Sequence, residues 1–398
     1  MAKGIKDKVA IIGMGCIKFG ENWGQSAADM MIEATYEAYE DAGVEPKDIQ
    51  AAWVGTTQAG VRGTLLSVPL KLEYIPITRV ENACATGTDA FRNACYGVAS
   101  GAYDIAMAVG VEKIKDTGYS GLETSLSRHK AQDTWVDPEV FVGMPAQFAL
   151  AATRYFHRYG LSPEEGKRTL AKISVKSHHN GTMSPKAHLH REITVEQVMN
   201  APMFAWPLGL FDCCGVSDGA ATVIVTTPEL AKKFRDDYIL VKGLGVTCGA
   251  DQAQLQDDYD FTHFEETVTA AKLAYEEAGI TQPREEINLA SVHDCFSITE
   301  LLNYEDLGFS PKGKGKEDVE AGTFTLAGKL PVNTDGGLKC FGHPVGASGI
   351  RMLYEVYKQL QGKAGPRQLK APRIGLTHNL GGLPGRFTCA VTLVGARD

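Results

Sequence analysis

Hydrophobic residues fall into two kinds of pattern along the chain. Short continuous apolar runs recur: "VAIIGMGC" from Val9, "AAWVG" from Ala51, "DIAMAVGVE" from Asp104 and "GAATVIVTT" from Gly219. Later come "YILVKGLGV" from Tyr238, "INLASVH" from Ile287, "PRIGLTHNL" from Pro372 and "GRFTCAVTLVG" from Gly385. Runs of this length and composition predict strands covered on both faces. Between them lie segments with the three- and four-residue spacing of a helix, such as Phe91, Ala94, Cys95 and Val98. Alternating strands and helices predict an α/β fold.

The pattern also repeats. "AYEDAGV" (Ala38 to Val44) matches "AYEEAGI" (Ala274 to Ile280), and both end on a glycine of the kind that stops a helix. Each then leads into a strand, at Ile49 and at Ile287, and upstream Gly13 corresponds to Gly243. The matches keep their order while their separation grows slightly, as two related units with small loop insertions would give. Residues 1–114, completed by 211–236, form the expected first unit, and 237–398 the second. Residues 115–210 are an insertion rich in His, Lys and Arg, including "KISVKSHHNGTMSPKAHLHRE" from Lys172, and are expected to form a lid or loop domain.

Bulk composition narrows the function. With 398 residues, 44% hydrophobic and 22% charged, the chain is long enough for two or three domains. A net charge of −8 argues against a general nucleic-acid binder, and no apolar run is long enough to cross a membrane. The charged N-terminus runs straight into a strand without a signal-peptide pattern, so a cytoplasmic protein is expected. Nine scattered cysteines fit a reducing compartment, and without a C-x-x-C pair no metal site is expected. The vicinal Cys213 and Cys214 read as core thiols.

Cys84, in "ENACATGTDAF", stands apart from the apolar face of the segment that follows it, where a helix begins. A helix N-terminus favours a thiolate. Three further loops follow strands and carry reactive groups: "SVHDCF" with His293 and Cys295, "CFGHPVGASG" with His343, and "THNLGG" with His378, Asn379, Gly381 and Gly382. In open α/β sheets ligands bind beyond the carboxyl ends of the strands. A cysteine nucleophile needs a base, and glycine-rich turns offer backbone donors to an oxyanion.

The motifs "GHPVGASG", "SDGAA", "HDCF" and "HNLGG", with the early cysteine, resemble the thiolase superfamily over essentially the whole chain. The pair HDCF and HNLGG is similar to the sterol-carrier-protein-type branch and its archaeal and bacterial relatives. That resemblance implies duplicated five-stranded α/β halves in an α-β-α-β-α layering. It also implies an acyltransferase that cleaves or forms 3-oxoacyl-CoA through a Cys84 thioester, with His343 as base. Many thiolases carry a second cysteine where this chain reads "HNLGG"; in the branch it resembles, the cysteine of the HDCF loop, here Cys295, is expected to supply that thiol. His293 serves the enolate oxygen, with the backbone near Gly381 at a second oxyanion and Asn379 shaping its loop. Cys340 is the competitor to Cys295.

Coenzyme A is expected as substrate, with no tightly bound cofactor, and Lys172, Lys176, Lys186 and Arg191 as candidates for its phosphates. Trp135, Phe141, Met144 and Phe148 of the insertion are candidates either for the core, the favoured place for Phe148, or to face a bulky or aromatic acyl group, as in benzoylsuccinyl-CoA; acetoacetyl-CoA is the other substrate considered. The resemblance further implies a homodimer core joined by a small zinc-ribbon/OB-fold subunit in a heterotetramer or larger complex. A ketoacyl synthase and a non-catalytic thiolase-fold scaffold are the rival readings; a papain-like peptidase lacks its local signature.

Overall fold

The computed structural model describes residues 4–117 and 143–397. Its first half contains β1 (Ala10–Cys16), α1 (Ala27–Ala42), β2 (Ala51–Gly55), β3 (Ile77–Val80), α2 (Thr86–Ala99) and β4 (Ile105–Glu112). Two helices of the insertion follow, α3 (Met144–Arg158) and α4 (Pro163–Thr182), and then β5 (Gly219–Thr226). The second half contains β6 (Ile239–Cys248), α5 (Glu265–Ala278), β7 (Leu289–Val292), α6 (Ser297–Asp306), α7 (Ser348–Leu360), β8 (Ile374–Gly381) and β9 (Thr388–Ala396).

Hydrogen bonding orders the strands β3-β2-β4-β5-β1-β6-β9-β8-β7, so the second half repeats the first in mirrored order. The halves join at two residue pairs, Ala10 with Leu240 and Ile11 with Ile239. Helix α1 covers β1 and β5 on one outer side, and α5 covers β6 and β9 on the other. Helices α2 and α7 pack on each other and touch strands of both halves, forming the central layer. The α-β-α-β-α layering follows.

Sequence explains the outer layers. Ser26 caps α1 through a reciprocal box with Asp29, and Gly43 ends it at φ 69°. Gly279 ends α5 in the same way at φ 79°. Gly15 in β1 and Gly245 in β6 let each strand lie on its helix: a Cβ at Gly15 would strike the carbonyl oxygen of Ala34, and one at Gly245 that of Ala270. The repeat is thus a packing device used twice.

The second half differs in one strand. Where a fifth would lie, only Val332 pairs with Ala290, through a single bridge. Pro331 has no N–H to extend the ladder. The insertion is also anchored in the fold. Phe148, Tyr155 and Phe156 of α3 and Leu170 and Ile173 of α4 are buried in the second half's core. No described helix is long and apolar enough to cross a membrane.

Candidate active site

Cys84 lies two residues before the first residue of α2. The preceding Ala83 adopts φ 47°, a left-handed conformation rare for a residue with a side chain, and it turns the thiol out of the strand direction. Asn82 braces the turn, its N–H bonded to the Thr86 hydroxyl at 2.8 Å and its amide to Asp89 at 2.7 Å. Gly381 at the end of β8 closes against this turn, where a Cβ would meet the Asn82 carbonyl oxygen. Asn379 works one step further back. It accepts from the Thr88 hydroxyl at 2.7 Å, tying β8 to α2, and does not line the cavity.

His343 places Nε2 3.3 Å from the Cys84 sulfur. Its Nδ1 lies 2.7 Å from the Ser348 hydroxyl, which itself donates to the Pro344 carbonyl at 2.9 Å. With its proton so used, Ser348 accepts from Nδ1–H, which leaves the Nε2 lone pair free for the Cys84 proton. The tautomer is fixed by the hydroxyl.

Electrostatics keep both partners neutral at rest. Burial pushes the Cys84 thiol up to about 12, and Glu112 and Glu81 push the same way; the backbone N–H groups of Cys84 and Gly382 oppose them. Burial and then Arg351 lower His343 to about 3. The expected thiolate at a helix N-terminus is therefore not the resting form. The proton waits for substrate. The N–H of Gly382, one residue beyond Gly381, is the one directed at the sulfur.

His293 follows β7, its ring 5.3 Å from that of His343. It is 1% exposed, and its Nδ1 has no hydrogen-bond partner. Burial, followed by His343, His378 and Arg351, holds it well below the usual imidazole range. Cys295, two residues on, is buried with its sulfur 3.7 Å from the Thr299 hydroxyl. Burial raises this thiol well above its ordinary value. Among the described residues, donor atoms of Cys84, His293 and His343 all lie within 4.8 Å of one another.

These groups line one cavity of about 280 Å³. Its remaining walls are apolar: Ile114, Met144, Phe148, Phe296, Val345 and Leu380 are among them. Phe148 and Phe296 lie with ring centroids 4.6 Å apart. Met144 and Phe148 thus reach the cavity, while Trp135 and Phe141 lie outside the described residues.

Several sequence expectations need correction. Cys213 and Cys214 line this cavity and are not merely core thiols. Cys214 stands opposite Cys295, its N–H donating to the Cys295 carbonyl at 2.8 Å. Lys176 is not a free lid cation, because it is buried against Glu300 and donates to the Val332 carbonyl at 2.8 Å. Lys186 is held by Glu37 and the Cys16 carbonyl. Lys172 is partly exposed near Glu320, and Arg191 is exposed; neither lines the cavity. Cys340 is buried beside Gly181 and does not line it either. Sequence reasoning missed Ser348 and Glu112. Ser348 was findable as the hydroxyl five residues after His343; Glu112 carries no local motif.

The thiolase N-terminal domain family matches residues 9–229, and the family described as thiolase C-terminal domain-like matches residues 248–394. The chain is 42% identical over 383 residues to an acetyl-CoA acetyltransferase of Methanothermobacter thermautotrophicus, covering 95% of this chain and 97% of that one. It is 34% identical over 384 residues to the benzoylsuccinyl-CoA thiolase subunit BbsB of Thauera aromatica, covering 95% and 96%. A solved structure, the Ltp2-ChsH2(DUF35) aldolase, superposes with a TM-score of 0.85 at 25% identity and covers 98% of each chain.

Proposed function

The chain belongs to the thiolase family, and on that premise we propose that it cleaves or forms 3-oxoacyl-CoA esters through a Cys84 acyl-enzyme. The observation that carries this reading is the 3.3 Å contact between the Cys84 sulfur and a His343 nitrogen whose tautomer Ser348 sets.

In cleavage, His343 takes the Cys84 proton as the sulfur attacks the 3-oxo carbonyl. The backbone N–H groups of Cys84 and Gly382 hold the oxyanion. The C2–C3 bond then breaks, its electron pair passes to the ester enolate, and His293 donates to the enolate oxygen. Cys295 gives its proton to C2, and the shorter acyl-CoA leaves. Coenzyme A returns a proton to Cys295 and attacks the thioester, and Cys84 recovers its own proton from His343. Condensation runs these steps backwards.

Residues 1–114 with 211–236 serve as one catalytic half and 237–398 as the other. The segment 115–210 contributes Met144 and Phe148 to the acyl wall. That apolar wall supports a substrate bulkier than acetoacetyl-CoA, of the kind named for the Thauera relative. Lys172 and Arg191 are the remaining lid candidates for the coenzyme A phosphates. A thiolase homodimer carrying a small separate subunit fits the DUF35 partner named in the solved aldolase and the word "subunit" in the Thauera relative's name. Co-expression with such a subunit, followed by mass determination and assay, tests the assembly.

A ketoacyl synthase generally pairs its cysteine with two histidines, which this cavity also has in His293 and His343; the Cys295 thiol beside them is what favours the thiolase reading. Mixing the metal-free protein with a panel of 3-oxoacyl-CoA esters tests the function: mass spectrometry should find the acyl group on Cys84 and coenzyme A should release it. Acyl mass on another cysteine, with Cys84 unmodified, would sink the assignment. No acyl mass on any cysteine would favour the scaffold reading.

A further inference from the structure

The groups around the nucleophile also suit a soft cation. The Cys84 sulfur and His343 Nε2 are 3.3 Å apart, and His293 brings a third donor within 4.8 Å of both. Zinc–sulfur bonds of about 2.3 Å and zinc–nitrogen bonds of about 2.0 Å in a tetrahedron require donor separations of roughly 3.3–3.6 Å. The sulfur–nitrogen pair lies at the short end of this range, and metal binding has to draw in the His293 donor, which stands within 4.8 Å of both.

Three further observations favour a cation here. Ser348 holds His343 Nδ1 as the outer partner of a metal-bound imidazole does, leaving the Nε2 lone pair directed at the sulfur. His293, 1% exposed, keeps Nδ1 without a partner, so its ring orientation is not committed to a protein hydrogen bond at that atom. Glu112, fully buried, acts on Cys84 with negative charge. Its carboxylate accepts from Thr56, Thr57, Gln58 and Gly346, all neutral donors, so its charge is not cancelled by those contacts. A doubly charged cation with one thiolate ligand is offset by that carboxylate, and the cavity supplies an entry path and a fourth position.

We propose that Cys84, His293 and His343 bind a thiophilic divalent cation of the zinc class, which caps the nucleophile reversibly and excludes acyl-CoA. The exclusion rests on the reading of Cys84 as the nucleophile. Binding forms a metal–sulfur bond and breaks the S–H bond, releasing one proton to solvent, with no redox step.

Cobalt(II) chloride added to the metal-stripped, full-length protein, in buffer free of small thiols, tests this without turnover. Expected are one equivalent bound, a thiolate-to-cobalt charge-transfer band, tetrahedral d–d bands, and displacement by zinc. Cys84→Ala, and wild-type protein alkylated at Cys84, should both lose the charge-transfer band; the alkylated protein covers the case in which the variant does not fold. His293→Ala and Ser348→Ala should each weaken cobalt binding by roughly tenfold or more. Cys248→Ser, at an exposed thiol, should leave the spectrum unchanged. A band that survives loss of the Cys84 thiol overturns the site, as does unaltered affinity in His293→Ala. Acylation of Cys84 is scored separately on metal-free protein. A cobalt band without acyl transfer defeats the functional reading alone; acyl transfer without the band defeats the cation site alone.

Discussion

In the first half Gly15 seats β1 on α1; in the second, Gly245 seats β6 on α5 through the same kind of backbone contact. At the strand ends the likeness stops. The first half brings Cys84 to the cavity wall between β3 and α2, with Cys213 and Cys214 from the segment that leads into β5. The second half brings His293, Cys295 and His343, and its β8 brings the turn that closes on Cys84. Duplication kept the packing surfaces, which tolerate no added atoms, and released the loops, whose side chains face a cavity. The chemistry is therefore asymmetric on a symmetric frame.

The sharpest way to break that comparison is to remove Cys84 and Cys295 in turn. Cys84→Ala should abolish acylation and turnover while the melting temperature stays close to that of the parent, since a small residue still fits the turn. Acyl mass by spectrometry together with a calorimetric scan reads both. Cys295→Ala should still acquire an acyl group at Cys84 but lose carbon–carbon chemistry by a factor on the order of 10²–10⁴, the scale of a lost acid–base group. If Cys214→Ala or Cys340→Ala shows that split and Cys295→Ala does not, the wrong thiol has been assigned.

The frame itself should answer symmetrically. Gly15→Ala and Gly245→Ala each force a methyl against helix backbone, which cannot swing aside, so each should cost about 3 kcal/mol of stability. Denaturant melts that differ by more than about half that value would show that the two halves are not equivalent as packing units. The smallest effect concerns protons. With the thiol raised to about 12, the reactive thiolate becomes scarcer as pH falls. Alkylation of Cys84 by iodoacetamide should thus rise about tenfold per pH unit between pH 7 and 9, without a plateau. A rate already flat above neutrality would mean a thiolate–imidazolium pair.

Much of the frame was legible because it is local. Strand runs, the two glycine-stopped helices and the repeat are consequences of spacing, and β4, β5, β8 and β9 fall within a few residues of the apolar runs that announced them. The four reactive loops were legible for the same reason, since each follows a strand. Charge partners were not. Lys176 and Lys186 read as free cations because nothing nearby in sequence reveals Glu300 or Glu37. Cys214 read as core because its exposure to the cavity depends on a pairing with Cys295, far along the chain, that only the tertiary fold sets. The missing fifth strand turned on a proline in the right place, Pro331, whose effect on pairing appears only once its neighbour is known.

The distance along the chain between the Cys84 thiol and its base has a consequence for how the protein is made. The two partners are 259 residues apart. During synthesis, at about 5–20 residues per second, the thiol emerges many seconds before the histidine that activates it. Until α7 docks against α2, Ser348 cannot orient that histidine beside the sulfur. A chain that ends before His343 lacks the base that takes the Cys84 proton. Activity in this protein therefore reports that a long-range contact between its two halves has closed.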